Sequence, residues 1–428
     1  MSPVYPEPTL EYIDMNTHQQ RRVLWALALT QVFGTIGVGA APSIGVLLAS
    51  EVTQNEALAG IARTASTFGA ALFGVPLAQL AARTSRRTAL TTGWATATVG
   101  ATILAWAASG TSMILVALGL LLMGAGSAAA LQARFAATDH ASDANRGSAL
   151  SFIVWVGTIG SVLGPNIGTP AAALAPSLGT TLYSAAFALA ALALGVATLL
   201  VFALLPGTKK DAAPGLPTAG KGAGASGQKK PSLAAKIGAF TREIAGNRQA
   251  RYAAISLLGA HMVMVSVMTM TPVHMNHQGS GIEIIGLTIS LHVLGMYGLS
   301  PLMGLGADRL GERTIILIGT ALLVLAIALG ALAPHSTPAM VASLILLGVG
   351  WSATFVAASA LFAASLPAES RTRAAGGLDS LTNLGAATAA LASGFIMAAT
   401  SFPTLACIAA LALVPSLLLT RTVSVSRQ

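Results

Sequence analysis

Apolar runs long enough to cross a bilayer recur in this chain from Val23 to Thr420, and they constrain its fold more than any other feature. A hydrocarbon core about 30 Å thick takes a helix of about 20 residues. Inside it, every backbone N–H and C=O must be satisfied by the protein itself. We read twelve helical spans, at about 23–49, 57–82, 88–108, 112–137, 147–173, 180–205, 252–277, 283–309, 313–333, 338–366, 373–399 and 402–420. Only 9% of the residues are charged and 54% are hydrophobic, so an all-α polytopic membrane protein is expected. The first run is too long for a cleavable signal peptide and lacks a small-residue cleavage site. Cys407 is the sole cysteine, which excludes an internal disulfide and any Cys-x-x-Cys metal site.

The basic residues then assign sides. Lys and Arg concentrate in cytoplasmic loops. With both termini inside, 22 of the 23 Lys and Arg fall on the tails and the even-numbered loops, Arg134 and Arg146 among them. The net charge of +9 therefore reflects topology and gives no reason to expect nucleic acid. The exception is Arg63 in the second span, for which pairing with Glu56, binding of an anionic group and snorkelling to the membrane surface are the alternatives, with snorkelling the default expectation.

The chain divides as a cytoplasmic tail at 1–22, six helices at 23–205, a cytoplasmic linker at 206–251, six more helices at 252–420 and a tail at 421–428. The linker is rich in Gly, Ala, Pro and Lys up to residue 230. Beyond it Leu233, Ile237, Phe240 and Ile244 recur at helical spacing among Lys236, Arg242 and Arg248, the pattern of an amphipathic surface helix. The two halves carry matching loops. One reads Gly304-Leu-Gly-Ala-Asp308-Arg309-Leu-Gly311-Glu-Arg313, the other Gly74-Val-Pro-Leu-Ala-Gln-Leu-Ala-Ala-Arg-Thr-Ser-Arg-Arg87. The later copy resembles the loop signature of the major facilitator superfamily at every defining position, with Asp308, Arg309, Gly311 and Arg313 as its gating residues. The earlier copy lacks the Asp and the second Gly, so its gating contact is expected to be made differently. The resemblance covers the whole chain and implies two six-helix bundles rocking about a midplane site, with both termini cytoplasmic.

The fifth span carries Gly160-Ser-Val-Leu-Gly164-Pro165-Asn-Ile-Gly168. It resembles the glycine-proline motif of the superfamily's proton-linked drug exporters. Close helix packing explains the same residues and is the favoured reading; the neighbouring helix is expected to be the eighth, through Gly295 and Gly298.

Between His261 and Met303 lie seven of the 13 Met and four of the 7 His. Met264 and Met268 share a helix face, as do His292 and Met296. If spans seven and eight form an antiparallel hairpin, Met268 falls level with His292 and Met264 with Met296. Three thioethers and an imidazole make a soft, neutral ligand set suited to copper. The alternative is that Met fills an irregular cavity and His292 bonds to nearby backbone. The paired motif is similar to that of CcoA-type copper importers, bacterial members of the superfamily. That resemblance implies copper ligands at Met264, Met268, His292 and Met296. It also implies import across the bacterial inner membrane for cytochrome oxidase assembly, with a cytoplasmic copper acceptor as partner. Copper is then cargo, no resident cofactor is expected, and the working unit is expected to be a monomer among membrane lipids.

His261, His274, Met275 and His277 are accessory metal or proton positions, each with a structural alternative. Met270 is expected to pack, and Asn166 and Gln31 to line the cavity. No Asp or Glu stands mid-span, unlike the buried carboxylates of many proton-coupled carriers. No catalytic constellation or nucleotide motif is present, so an enzyme is not expected. The alternative function is transport of an organic substrate, as a drug:proton antiporter or a riboflavin-type vitamin importer. A second is a non-transporting copper sensor or chaperone.

Overall fold

A computed structural model describes residues 10–53, 56–110, 112–139, 146–206, 244 and 246–420. Its described residues are all helix and connection. In chain order the α-helices are α1 (Leu10–Gly39), α2 (Val46–Thr53), α3 (Glu56–Arg83), α4 (Arg86–Ala107), α5 (Met113–Asp139), α6 (Arg146–Leu163), α7 (Gly168–Leu178) and α8 (Leu182–Leu204). Then come α9 (Arg248–His277), α10 (Ile282–Tyr297), α11 (Ser300–Leu310), α12 (Glu312–Leu332), α13 (Thr337–Ala364), α14 (Ala368–Ala399), α15 (Phe402–Ala410) and α16 (Val414–Thr420). The first span is α1 and α2 joined by a π-helical turn at Ala41–Gly45, the fifth is α6 and α7 joined by a 3₁₀ turn at Gly164–Ile167, and the eighth is α10 and α11. Most of the 206–251 linker, including the expected amphipathic helix up to residue 243, lies outside the described residues.

Eleven of the spans are long and apolar enough to cross a membrane. The remaining one, α4, is diluted by threonines. Its hydroxyls donate to carbonyls one turn back, as Thr92 does to Thr88 and Thr102 to Thr98. A polar side chain that satisfies itself on its own helix can stay in a span, and α4 packs between α5 and α8.

The helices of the first half pack through small residues. A methyl added at Gly124 would fall 2.5 Å from the Ser66 carbonyl oxygen, and one at Gly69 only 2.0 Å from that of Leu121, so α3 and α5 meet backbone to backbone. The two halves meet along α3 and α14 and along the fifth span and α10. There Thr64 on α3 donates to the Ala387 carbonyl on α14 (3.3 Å). Asn166 donates to Ser290 Oγ (2.6 Å), tying the fifth span to α10.

The loop signature is seated as its chemistry demands. Gly311 has φ 84°, a conformation that suits glycine, and begins α12 directly after α11. Asp308 and Arg309 are exposed. Arg313 donates to the Thr420 carbonyl (2.7 Å), joining the loop to the last helix. In the earlier copy Ser85 caps α4, and Arg86 donates to Gln132 on α5 (3.0 Å).

Candidate functional site

A cavity of about 360 Å³ lies between the two halves. The first half contributes Thr35, Pro42, Arg63, Ser66, Thr67, Ser127, Arg134, Ser161 and Pro165 to its wall; the second contributes Met264, Met268, Val293, Met296 and Tyr297. The π-helical turn brings Pro42 to the rim.

Three of the four expected copper ligands are therefore brought together. His292 is not. It is fully buried, absent from the cavity wall, and its Nδ1 lies 2.8 Å from the Leu344 carbonyl oxygen on α13, to which it donates. Its Nε2 is buried without a hydrogen-bond partner. The hairpin premise fails for the same reason. Both α9 and α10 pack chiefly against α13 and touch each other little, so α13 takes the position the hairpin required one helix to give the other.

The accessory positions also turn elsewhere. His261 Nδ1 accepts from Trp351 Nε1 at 3.0 Å. His274 stacks on Phe402 and bonds the Pro334 carbonyl through Nε2 at 2.8 Å. Met275 is buried, and His277 is exposed beside His274 and His335 in a groove near the surface. None of the four lines the central cavity. Met270 is fully buried, as packing requires. Asn166 and Gln31 do not line the cavity either: Asn166 bonds Ser290, and Gln31 is buried with its Nε2 toward the Ala130 carbonyl.

The helix-5 motif is closely packed on two sides. A methyl on Gly160 would meet Thr35, and one on Gly164 would meet Gly39, so both lie against α1. The expected contact with the eighth span is made by Val162, Pro165, Asn166 and Gly168, through Ser290, Gly286 and Ile282. Gly295 faces α13 at Ile345 and Val349, and Gly298 faces its own Leu294.

Two cations line the cavity. Arg63 does not snorkel to the surface, and Arg134, which flanks the loop after the fourth span, lies near Gln132, the partner of Arg86. The Nε of each is buried with no hydrogen-bond partner, and neither has an ion-pair partner among the described residues. Among the described residues no acidic side chain lines the cavity. Tyr297 stands within electrostatic reach of both guanidiniums. Arg134 gave no sequence signal beyond its charge, because a residue at a helix end looks the same whether it turns out or in.

Comparison with known proteins fixes the family. The model of the Major Facilitator Superfamily matches residues 25–299 and 254–427. The chain belongs to this superfamily. Two uncharacterised MFS-type transporters of Bacillus subtilis (strain 168) align along most of it. YddS is 32% identical over 91% of this chain and 89% of its own, and YdeG 33% identical over 89% and 87%. The riboflavin transporter RfnT of Brucella anthropi is 26% identical over 80% of each chain. Among solved structures, the nucleoside transporter NupG has the same fold. It gives a TM-score of 0.69 over 94% of this chain and 98% of that one, at 15% identity. A bacterial homologue of the lysosomal transporter Spinster, in an inward-facing and unoccupied conformation, gives 0.64 over 94% of both. The superfamily reading of the loop signature therefore stands, and the chain is a membrane transporter.

Proposed function

We propose that this transporter carries an organic solute through the cavity between its halves, by alternating access in the cytoplasmic membrane. The observation that carries this reading is the pair of uncompensated arginines on the wall. A metal cation held in this cavity would meet uncompensated guanidiniums and, among the described residues, no carboxylate. The three thioethers are neutral, and the imidazole meant to join them is buried and does not line the cavity. The likeness to a riboflavin transporter over 80% of both chains supports the same conclusion.

Copper import of the CcoA type is the second reading. Met264, Met268 and Met296 do share one wall, which is what favours it. For it to hold, the Nε2 of His292, left free by the Nδ1 bond to Leu344, must gain access to the cavity, and the arginines must turn away.

One experiment separates the two. Copper and labelled riboflavin are each followed into cells lacking their own carriers, with membrane levels of every variant matched. Protein-dependent flavin uptake with unchanged cell copper is the expected result. A rise in cell copper that disappears in Met264→Ala, Met268→Ala, Met296→Ala and His292→Ala would reverse the ranking.

A further inference from the structure

We infer that Arg63 alone is the anion site of this cavity: the carboxylate or phosphate of an organic solute binds its guanidinium, with Ser66 beside it and Met264 and Met268 against the solute's apolar body. This deepens the organic-solute reading and rests on it. Other arginines of the bundle rest on protein. Arg86 donates to Gln132, Arg313 donates to the Thr420 carbonyl, and Arg87 lies over the Phe202 ring at 4.5 Å. Arg63 instead faces the cavity, with its Nε buried and without a hydrogen-bond partner among the described residues.

Packing contacts fix its depth. Thr64 donates to the Ala387 carbonyl on α14, and two residues before Ala387 a methyl on Gly385 would meet Leu258 and Met262 on α9. Through α14, Arg63 therefore stands level with Met264. Helical side chains lean toward the N-terminus of their own helix. Odd- and even-numbered spans run opposite ways, so on α3 that lean points from Met264 toward Met268. Arg63, Ser66, Thr67 and Ala70 recur at helical spacing and all line the cavity. The Thr67 hydroxyl is spent on the Arg63 carbonyl (3.2 Å), which leaves Ser66 as the hydroxyl one turn from the guanidinium.

The surroundings supply no counter-charge. Among the described residues, His261, His292 and Tyr297 stand within electrostatic reach of Arg63. His261 accepts from Trp351, His292 donates to the Leu344 carbonyl, and a phenol is neutral near pH 7. A charged side chain inside a membrane is costly and as a rule faces a partner or a polar cavity. The partner here must arrive with the cargo. A guanidinium fork matches the two oxygens of a carboxylate or phosphate. Thioethers adapt to irregular apolar shapes, and a small inorganic anion would leave them unused.

Arg134 belongs to a different level. The spans of α3 and α5 are both even-numbered and run the same way, with Gly69 against Leu121 and Gly124 against Ser66. On that register Arg134 stands about 20–25 Å further along the bundle. It lines the other end of the cavity, so experiment can separate the two cations.

The test employs matched probes on the purified full-length protein: phenyl phosphate against phenol, benzoate against benzyl alcohol, and riboflavin 5′-phosphate against riboflavin. Binding is read by calorimetry, and the melting temperature of each variant reports folding. In each pair the anion should bind about tenfold tighter or more. That preference should vanish in Arg63→Gln, with the neutral member bound as before, and survive in Arg63→Lys and in Arg134→Gln. Glu56→Gln, seven residues back on the same helix, should leave it unchanged. Equal binding within the pairs, a preference untouched by Arg63→Gln, one lost in Arg134→Gln, or a tenfold gain in anion affinity in Glu56→Gln would overturn the inference. If a neutral member binds and is transported while its anion binds no better, the organic-solute reading stands and the anion inference falls. If copper(I) binds and no organic probe does, both fall together.

Discussion

The two halves share a topology and a loop position, yet they give the cavity opposite walls. The first six helices supply both cations and nearly all the hydroxyls; the last six supply thioethers, a valine and a phenol ring. An internal repeat preserves helix count and packing because those follow from crossing a membrane. It does not preserve the residues that face the gap. The cavity is asymmetric although the scaffold is near-symmetric, and a solute must satisfy both sides at once.

The largest expected effect comes from stripping the charged wall. A hydrogen bond to a charged group is worth about 1.5–3 kcal/mol, so losing the two made by the Arg63 fork costs at least about a hundredfold in affinity. The double variant Arg63→Ala, Arg134→Ala should therefore abolish solute uptake at unchanged membrane abundance. Survival of more than a tenth of the flux would remove the charged wall from the transport site.

The opposite wall is tested by keeping volume and removing sulfur. Leu for Met is close to volume-conserving and usually costs under about 1.5 kcal/mol. Met264→Leu, Met268→Leu and Met296→Leu should each leave uptake within about threefold of the unaltered protein. Should any of them abolish flux, sulfur is acting as a ligand, and copper returns as the cargo. The corresponding Ala changes open space and should cost more than Leu at every position.

These outcomes also bear on what the sequence could disclose. Helix count, the loop turn at Gly311 and the close-packing role of Gly160 and Gly164 were all legible, since hydrophobic length and residue size determine them locally. The Met cluster was legible as well: Met264, Met268 and Met296 do face one space. The expected contact between the fifth and eighth spans is made, through Asn166 and Ser290. What failed were pairings of particular side chains. His292 was placed by assuming that consecutive helices pack together, whereas α13 lies against both. Arg63 was given the default behaviour of an isolated cation. A single sequence states charge and period; it does not say which side chains from distant helices converge.

His292 itself gives a smaller, separate effect. Its bond to the Leu344 carbonyl is a structural link within the second half. In His292→Leu the carbonyl loses its donor, for a cost of about 1–3 kcal/mol. The melting temperature should drop by a few degrees while solute preference stays as it was. A change in metal accumulation without loss of stability would assign His292 to the cargo after all.

The smallest expected effect concerns the residue where the two walls and the membrane meet. Tyr297 lines the central cavity and also a second cavity of about 640 Å³, bounded by Trp155 and Thr158 on α6 and by Ser300 and Pro301 on α11. Its ring is the partition between them. Tyr297→Phe keeps the ring and removes only the hydroxyl, which lies within electrostatic reach of both guanidiniums. Affinity for an anionic solute should change by no more than about fivefold, since one neutral hydrogen bond is worth about 1 kcal/mol. Tyr297→Ala removes the partition and joins the spaces, so larger solutes should enter while the anion preference, set on the other wall, persists. Loss of that preference in Tyr297→Ala would mean that the phenol, and not Arg63, organises the charged end of the site.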